Sequence, residues 1–215
     1  WSEARHCLRP PGYYVLNNDR LLQLSSGRLL LPLGFHRWSG KSTDPRAIAI
    51  IVYSDDGGIS WQEAPGWILP PQESGGSGLQ EPGLIELNDG RLMAWFRTGL
   101  GCQFKAYSYD EGMSWSGALP APEFMSPRSP LSLKRAPDGR LAAVWNDHSP
   151  RWGIIPQREG WHRSPLVLAY SSDEGRTWAG HQLLESDPAR GYCYTAMCFR
   201  DDALLLAYCC GGAGK

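Results

Sequence analysis

The amino-acid sequence predicts an all-β fold, a propeller of four-stranded antiparallel blades, and three observations carry that prediction. The first is a repeated octapeptide. Ser-x-Asp-x-Gly-x-(Ser/Thr)-Trp occurs three times, at Ser54 to Trp61 (SDDGGISW), Ser108 to Trp115 (SYDEGMSW) and Ser171 to Trp178 (SSDEGRTW). Such a recurrence marks a repeated structural unit. The second is a set of turns interleaved with these boxes: Ser26-Gly27-Arg28-Leu29, Asp89-Gly90-Arg91-Leu92 and Asp138-Gly139-Arg140-Leu141, with a degenerate fourth at Asp201-Asp202-Ala203-Leu204. The third is composition. Ten Trp, nine Tyr, 25 Gly and 17 Pro in 215 residues fit many short strands joined by tight turns.

Each unit reads as four strands. Strand one is apolar: Leu21 to Leu24, Gly83 to Leu87, Leu131 to Lys134 and Tyr194 to Phe199. The turn closes a hairpin onto strand two: Leu29 to Leu33, Leu92 to Phe96, Leu141 to Trp145 and Leu204 to Tyr208. Strand three is Ala47 to Tyr53, Phe104 to Tyr107 and Leu166 to Tyr170, and the box then turns the chain into a fourth strand. Within the box the Asp accepts backbone N–H bonds as in an Asx-turn, the Gly supplies positive φ, and the Trp plugs the space between sheets. Asp56, Asp110, Asp173 and the three Trp are therefore structural. Blades start near residues 17, 81, 129 and 192, and the whole of 1–215 reads as one domain of about four blades. The last blade shows two strands. Trp1-Ser2-Glu3 looks like the tail of an earlier box, so a propeller incomplete at its N-terminal side, or completed by self-association, is the expectation.

Composition removes several classes of function. A formal net charge of −1 gives no electrostatic footprint for nucleic acid. No apolar run approaches the ~18 residues of a membrane span. The six cysteines (Cys7, Cys102, Cys193, Cys198, Cys209 and Cys210) form no CxxC pair. Free thiols are the favoured reading over a disulfide framework, and Cys198, in an apolar strand, reads as a small core residue. His6, His36, His148, His162 and His181 are scattered. No metal and no cofactor is expected.

In a propeller, the starts of the first strands and the ends of the second strands converge on one face near the axis. The polar residues there are Asn17-Asn18-Asp19-Arg20, Gln80-Glu81, Arg128 and Tyr192-Cys193-Tyr194 at the starts, and His36-Arg37, Arg97-Thr98 and Asn146-Asp147-His148 at the ends; Arg163 precedes a third strand. Charges gathered at one pole suit a small, polar, anionic ligand.

The run Glu81-Pro82, Asp89-Gly90-Arg91-Leu92, Arg97 and the box at Ser108 resembles a blade of the sialidase (neuraminidase) superfamily of Asp-box, or BNR-repeat, propellers. The run Asn146-Asp147-His148, Arg163 and the box at Ser171, and the run Tyr194-Thr195-Ala196-Met197 ending in Leu206-Ala207-Tyr208, resemble two further blades of that family. The resemblance covers nearly the whole chain and implies six blades in the complete propeller. It implies an exo-sialidase-like glycoside hydrolase that removes terminal sialic acid or a related acidic sugar. Tyr194 would be the nucleophile and Glu81 its base, Arg97 and Arg163 would bind the substrate carboxylate, and Asp147, His148, Arg20, Asp19 and Tyr192 would contact substrate, with Tyr192 a competitor for the role of Tyr194. The logic is coherent: guanidinium groups bind carboxylates in pairs, and a neutral phenol deprotonated as it attacks is not repelled by the substrate's own carboxylate. The family's first triad Arg and its acid/base Asp have only positional analogues, Arg20 and Asp44, and Cys209 follows Tyr208 where many relatives carry Glu. The alternative is a noncatalytic propeller binding glycans or protein. Partners implied are sialylated or other acidic glycans. The family implies a secreted or periplasmic location, with the cytoplasm as the other option.

Overall fold

The computed structural model describes residues 3–4, 6–8, 12–38, 40–153 and 163–212. The Trp1-Ser2 part of the proposed box tail and His162 lie outside them. Blade 1 comprises β1 (Tyr13–Val15), β2 (Leu22–Gln23), β3 (Leu29–His36), β4 (Ile48–Ser54) and β5 (Gln62–Glu63). Blade 2 comprises β6 (Gln80–Glu86), β7 (Leu92–Arg97), β8 (Cys102–Ser108) and β9 (Leu119–Met125). Blade 3 comprises β10 (Ser132–Arg135), β11 (Leu141–Asn146), β12 (Leu166–Ser171) and β13 (Ala179–Glu185), and β14 (Arg190–Arg200) with β15 (Ala203–Gly212) forms a two-stranded blade 4. Every named strand pairing is antiparallel and neighbours follow chain order within blades 2, 3 and 4.

The middle strands are buried on both faces. They therefore read as unbroken apolar runs, IAIIVY in β4, LMAWF in β7 and LAAVW in β11, rather than as alternating ones. The core is laid down as layers between blades. Leu30, Ile51, Leu84, Phe96 and Phe104 fill the space between blades 1 and 2; Met93, Trp95, Phe124, Trp145 and Val167 that between 2 and 3; and Val144, Leu168, Tyr192 and Met197 that between 3 and 4.

The boxes behave as the sequence predicts. Asp56, Asp110 and Asp173 each accept the backbone N–H and the hydroxyl of the Ser or Thr four residues on. The leading Ser hydroxyl donates to that Asp and accepts the N–H of the box Gly. Trp115 and Trp178 pack against the layers between blades. Positive φ extends one residue further than predicted: the residue before the box Gly (Gly57, Glu111 or Glu174) is left-handed too.

Two expectations differ. Blade 1 begins at Tyr13 rather than near 17, because its inner strand is split. β1 and β2 both pair with β3, while residues 16–21 leave the ladder between them. Cys198 is exposed, not core, because it lies on the face of β14 that no other described strand covers.

The segment that leaves the ladder runs to the axis. Asn18 Nδ2 donates to Tyr194 O at 3.1 Å. Asp19 pairs with Lys134 Nζ at 3.2 Å and accepts Met197 N–H at 3.1 Å. Buried Arg20 donates to Leu131 O at 2.8 Å and lies 5.4 Å from the Trp95 ring centroid. Blade 1 is thus tied across the centre to blades 3 and 4. Among the described residues no group of His, Cys, Asp and Glu is arranged to hold a metal, and no helix is long and apolar enough to cross a membrane.

Candidate active site

Two matching backbone irregularities create the site. In blade 2, Gln80 pairs with Arg97 and the next pair is Gly83 with Trp95, so three steps along β6 face two along β7. In blade 4, Cys193 pairs with Cys209 and the next pair is Ala196 with Ala207, again three steps against two. Each is a β-bulge, a device that re-aims a side chain. The bulges hold Glu81 at φ 47° and Tyr194 at φ 58°, left-handed conformations that cost a non-glycine residue about 1–3 kcal/mol.

The two re-aimed side chains meet. The Tyr194 hydroxyl donates to Glu81 Oε1 at 3.1 Å, and Arg97 Nη1 donates to the same oxygen at 2.7 Å. Arg97 Nη2 also donates to Gln80 Oε1. Glu81 is 7% exposed, and its Oε2 is buried with no partner. Burial raises the Tyr194 pKa above that of a free phenol, the Glu81 charge raises it further, and Arg163 opposes both. At neutral pH the phenol is therefore protonated, with its hydroxyl hydrogen-bonded to Glu81.

Arg163 flanks the pair. Its Cζ stands 5.3 Å from the Tyr194 ring centroid, its Nη1 donates to Cys193 Sγ at 2.8 Å and its Nη2 to Arg128 O at 3.3 Å. The loop carrying Arg163 is clamped by Asn146. This fully buried amide donates to the carbonyls of Arg163 (2.7 Å), Tyr192 (3.0 Å) and Pro165 (3.2 Å), and its Oδ1 accepts the Ser129 hydroxyl at 2.6 Å. Arg20 lies within electrostatic reach of Glu81. Burial lowers its pKa to about 10, opposed by the charges of Glu81 and then Asp19.

The structure thus brings together Glu81, Tyr194, Arg97 and Arg163, with Arg20 and Asp19 behind them. Four further candidates are held by other contacts. Asp147 spends its oxygens locally, accepting Ser149 N–H at 2.8 Å and Trp152 Nε1–H at 2.7 Å. His148 Nε2 lies 3.2 Å from Ser164 O. Tyr192 is buried in the layer between blades 3 and 4, its ring 6.1 Å from that of Tyr208. Asp44 accepts Arg46 N–H and pairs with Arg37, which holds its carboxyl below the usual range. Sequence reasoning passed over Asn146 and Gln80 for their charged neighbours. The available signal was an amide abutting a wholly apolar strand, where an unsatisfied polar group is costly.

A model described as a BNR repeat-like domain matches residues 1–206. The chain belongs to the BNR repeat-like domain family. A curated relative of this BNR-repeat chain, the anhydrosialidase of Macrobdella decora, is 32% identical over 185 residues, covering 80% of this chain and 22% of the relative. Among solved structures, a Dyadobacter fermentans protein of unknown function is 19% identical with a TM-score of 0.69, covering 95% of this chain and 51% of its own. Trypanosoma rangeli sialidase in complex with sialic acid is 18% identical with a TM-score of 0.68, covering 94% of this chain and 30% of its own. The Ruminococcus gnavus intramolecular trans-sialidase is 21% identical with a TM-score of 0.58, covering 86% of this chain and 37% of its own. The BNR-repeat chain therefore spans between about a fifth and a half of the length of these relatives, and it shares the sialidase propeller fold.

Proposed function

We propose that this chain carries the nucleophile half of a sialidase-like glycoside hydrolase acting on terminal sialic acid or a related acidic sugar. The observation that supports this most is the single Glu81 oxygen shared by the Tyr194 hydroxyl and Arg97. In the proposed reaction Tyr194 Oη attacks the anomeric carbon while its proton passes to Glu81. The bond to the leaving oxygen breaks, and a glycosyl-tyrosine forms. Water then attacks the anomeric carbon and releases one proton to solvent, the Tyr–sugar bond breaks, and Glu81 returns its proton to the phenolate. Arg97 and Arg163 supply the planar donors that a carboxylate at the anomeric carbon calls for. The Macrobdella, Trypanosoma and Ruminococcus relatives are sialidases or trans-sialidases by name, which supports the same sugar class.

The reaction with a natural glycoside also needs an acid for the leaving oxygen. Among the described residues near the pair, Asp19 is engaged by Lys134 and Met197, and Asp44 by Arg37 and Arg46. The proposal therefore assigns no acid here. A sialoside of 4-methylumbelliferone, whose phenolic leaving group departs with little protonation, is the appropriate substrate. Hydrolysis is expected to fall by roughly 10²–10⁴-fold in Glu81→Gln, the range typical of a lost general base, and to vanish in Tyr194→Phe. Variants that match the wild type, or a folded chain that neither binds nor cleaves the sialoside, would overturn the reading.

A further inference from the structure

Cys193 and Cys209 stand opposite each other in the β14–β15 pair, immediately before the bulge that presents Tyr194. Directly paired residues on antiparallel strands point to the same face, and their Cα atoms lie about 4.5 or 5.5 Å apart depending on the pair type. Both values fall inside the roughly 4.4–6.8 Å range that a disulfide spans. The alternatives are placed less well. Cys210 is opposite Tyr192, one residue along and hence on the other face, and Cys198 is opposite Leu205. Cys193 is also the sulfur that Arg163 Nη1 contacts at 2.8 Å.

We infer that Cys193 and Cys209 form an oxidisable dithiol site, closed by small-molecule disulfides such as oxidised glutathione, and that its closure withdraws the sulfur partner from Arg163.

Exposure sets the order of events, since Cys209 is exposed and Cys193 half-buried. The Cys209 thiolate attacks one sulfur of oxidised glutathione. The S–S bond of the reagent breaks, one glutathione thiolate leaves, and a mixed disulfide remains on Cys209. The Cys193 thiolate then attacks the Cys209 sulfur and expels the second glutathione. Two protein thiols are oxidised to one disulfide, one glutathione disulfide is reduced, and the two protein protons end on the two glutathione thiols formed. Burial raises the Cys193 thiol pKa, and Arg163 acts against that rise. Once both sulfurs are joined, Cys193 is no longer a thiol or thiolate acceptor for the guanidinium. On the reading of the preceding subsection, this acts on a side chain that receives the substrate carboxylate; the formation of the bond does not depend on that reading.

Trypsin cuts the sequence into Gly191 to Arg200, with Cys193 and Cys198, and Asp201 to Lys215, with Cys209 and Cys210. The folded chain is treated with oxidised glutathione, free thiols are blocked by alkylation, and the two peptides are mapped by fragmentation mass spectrometry. The expected product is a Cys193–Cys209 link, lighter by two hydrogens than the two reduced peptides together. The link is expected to persist in a Cys198→Ser, Cys210→Ser double variant and to be absent in Cys209→Ser. Glutathione retained on Cys209 while Cys193 takes the alkylating reagent, or a link running through Cys198 or Cys210 in the wild type, would overturn the inference. The wild-type map reads the answer even if a variant folds poorly.

Discussion

Tyr194 and Glu81 hold left-handed backbone conformations inside strands rather than in turns. Glu111 and Glu174, by contrast, are left-handed in the box turns, and Asp201 in the β14–β15 turn. Strain kept in a strand, where a regular ladder was available, is the mark of a side chain that has to point somewhere. Arg97 makes this arrangement bearable, since it is the ion-pair partner of a nearly buried carboxylate. Arg97→Ala is expected to cost about 3–5 kcal/mol, the effect of stranding one member of a buried pair, with Arg97→Lys intermediate; chemical denaturation measures both, and a loss below about 1 kcal/mol for Ala would show that the pair is solvated. A second residue-scale expectation concerns Tyr208, whose hydroxyl donates to Glu185 Oε1 at 2.5 Å. That bond, followed by burial, raises the phenol pKa from 10.0 to about 12. A folded-state pKa above the unfolded value contributes stability that is fully present below pH 10 and lost as pH climbs toward about 12. Tyr208→Phe should therefore lose less stability than the wild type across that window. Equal losses would mean that the bond does not form in solution.

At the scale of elements, a close approach in blade 2 couples the site to the core. A Cβ on Gly83 would stand 2.2 Å from the buried Trp95 ring. Trp95 in turn donates its Nε1–H to Leu131 O, the carbonyl that Arg20 also uses, and carries Arg20 against its ring. Gly83→Ala is expected to destabilise by about 1–3 kcal/mol through overpacking and to disturb Arg20. A neutral result in thermal unfolding would refute that chain of contacts. These elements also show what the sequence disclosed. The second and third strands were legible because both of their faces are buried, and unbroken runs such as LAAVW need no neighbour to be recognised. The boxes were legible because each closes its hydrogen bonds within eight residues. The split of the inner strand of blade 1 was not, since residues 16–21 leave the ladder for partners in other blades, Leu131 and Tyr194 among them, that local periodicity does not report. Glu81, Arg97 and Tyr194 drew notice as candidates because polar residues interrupt apolar strand ends. Asp147 drew notice in the same way, and sequence does not separate a carboxylate that lines a pocket from one that caps a turn; here it accepts from Ser149 and Trp152.

At the scale of the whole molecule, Glu81 in blade 2 and Tyr194 in blade 4 face each other because blade 3 spaces them and the segment 17–20 of blade 1 crosses the centre to hold the far side. Asp19 is one of these ties, bonded both to Lys134 and to the Met197 N–H near the bulge of β14. Asp19→Ala should leave the blades folded yet speed amide hydrogen exchange at Met197 and its neighbours in β14, with β7 and β11 unaffected. Unchanged exchange in β14 would mean that blade 4 is held by the interblade core alone.

The central claim is that Tyr194 is the nucleophile and Glu81 its base. It is tested most directly with 2,3-difluorosialic acid, a compound found as a covalent intermediate with Trypanosoma rangeli sialidase. Fluoride leaves without help from an acid, so the test does not depend on the residue that protonates a natural leaving group. Intact mass and tryptic mapping should show one fluorosialyl group on Tyr194 within Gly191 to Arg200, formed slowly in Glu81→Gln and absent in Tyr194→Phe. A label on Tyr192 or on Glu81, or no label on the folded wild-type chain, would contradict the account.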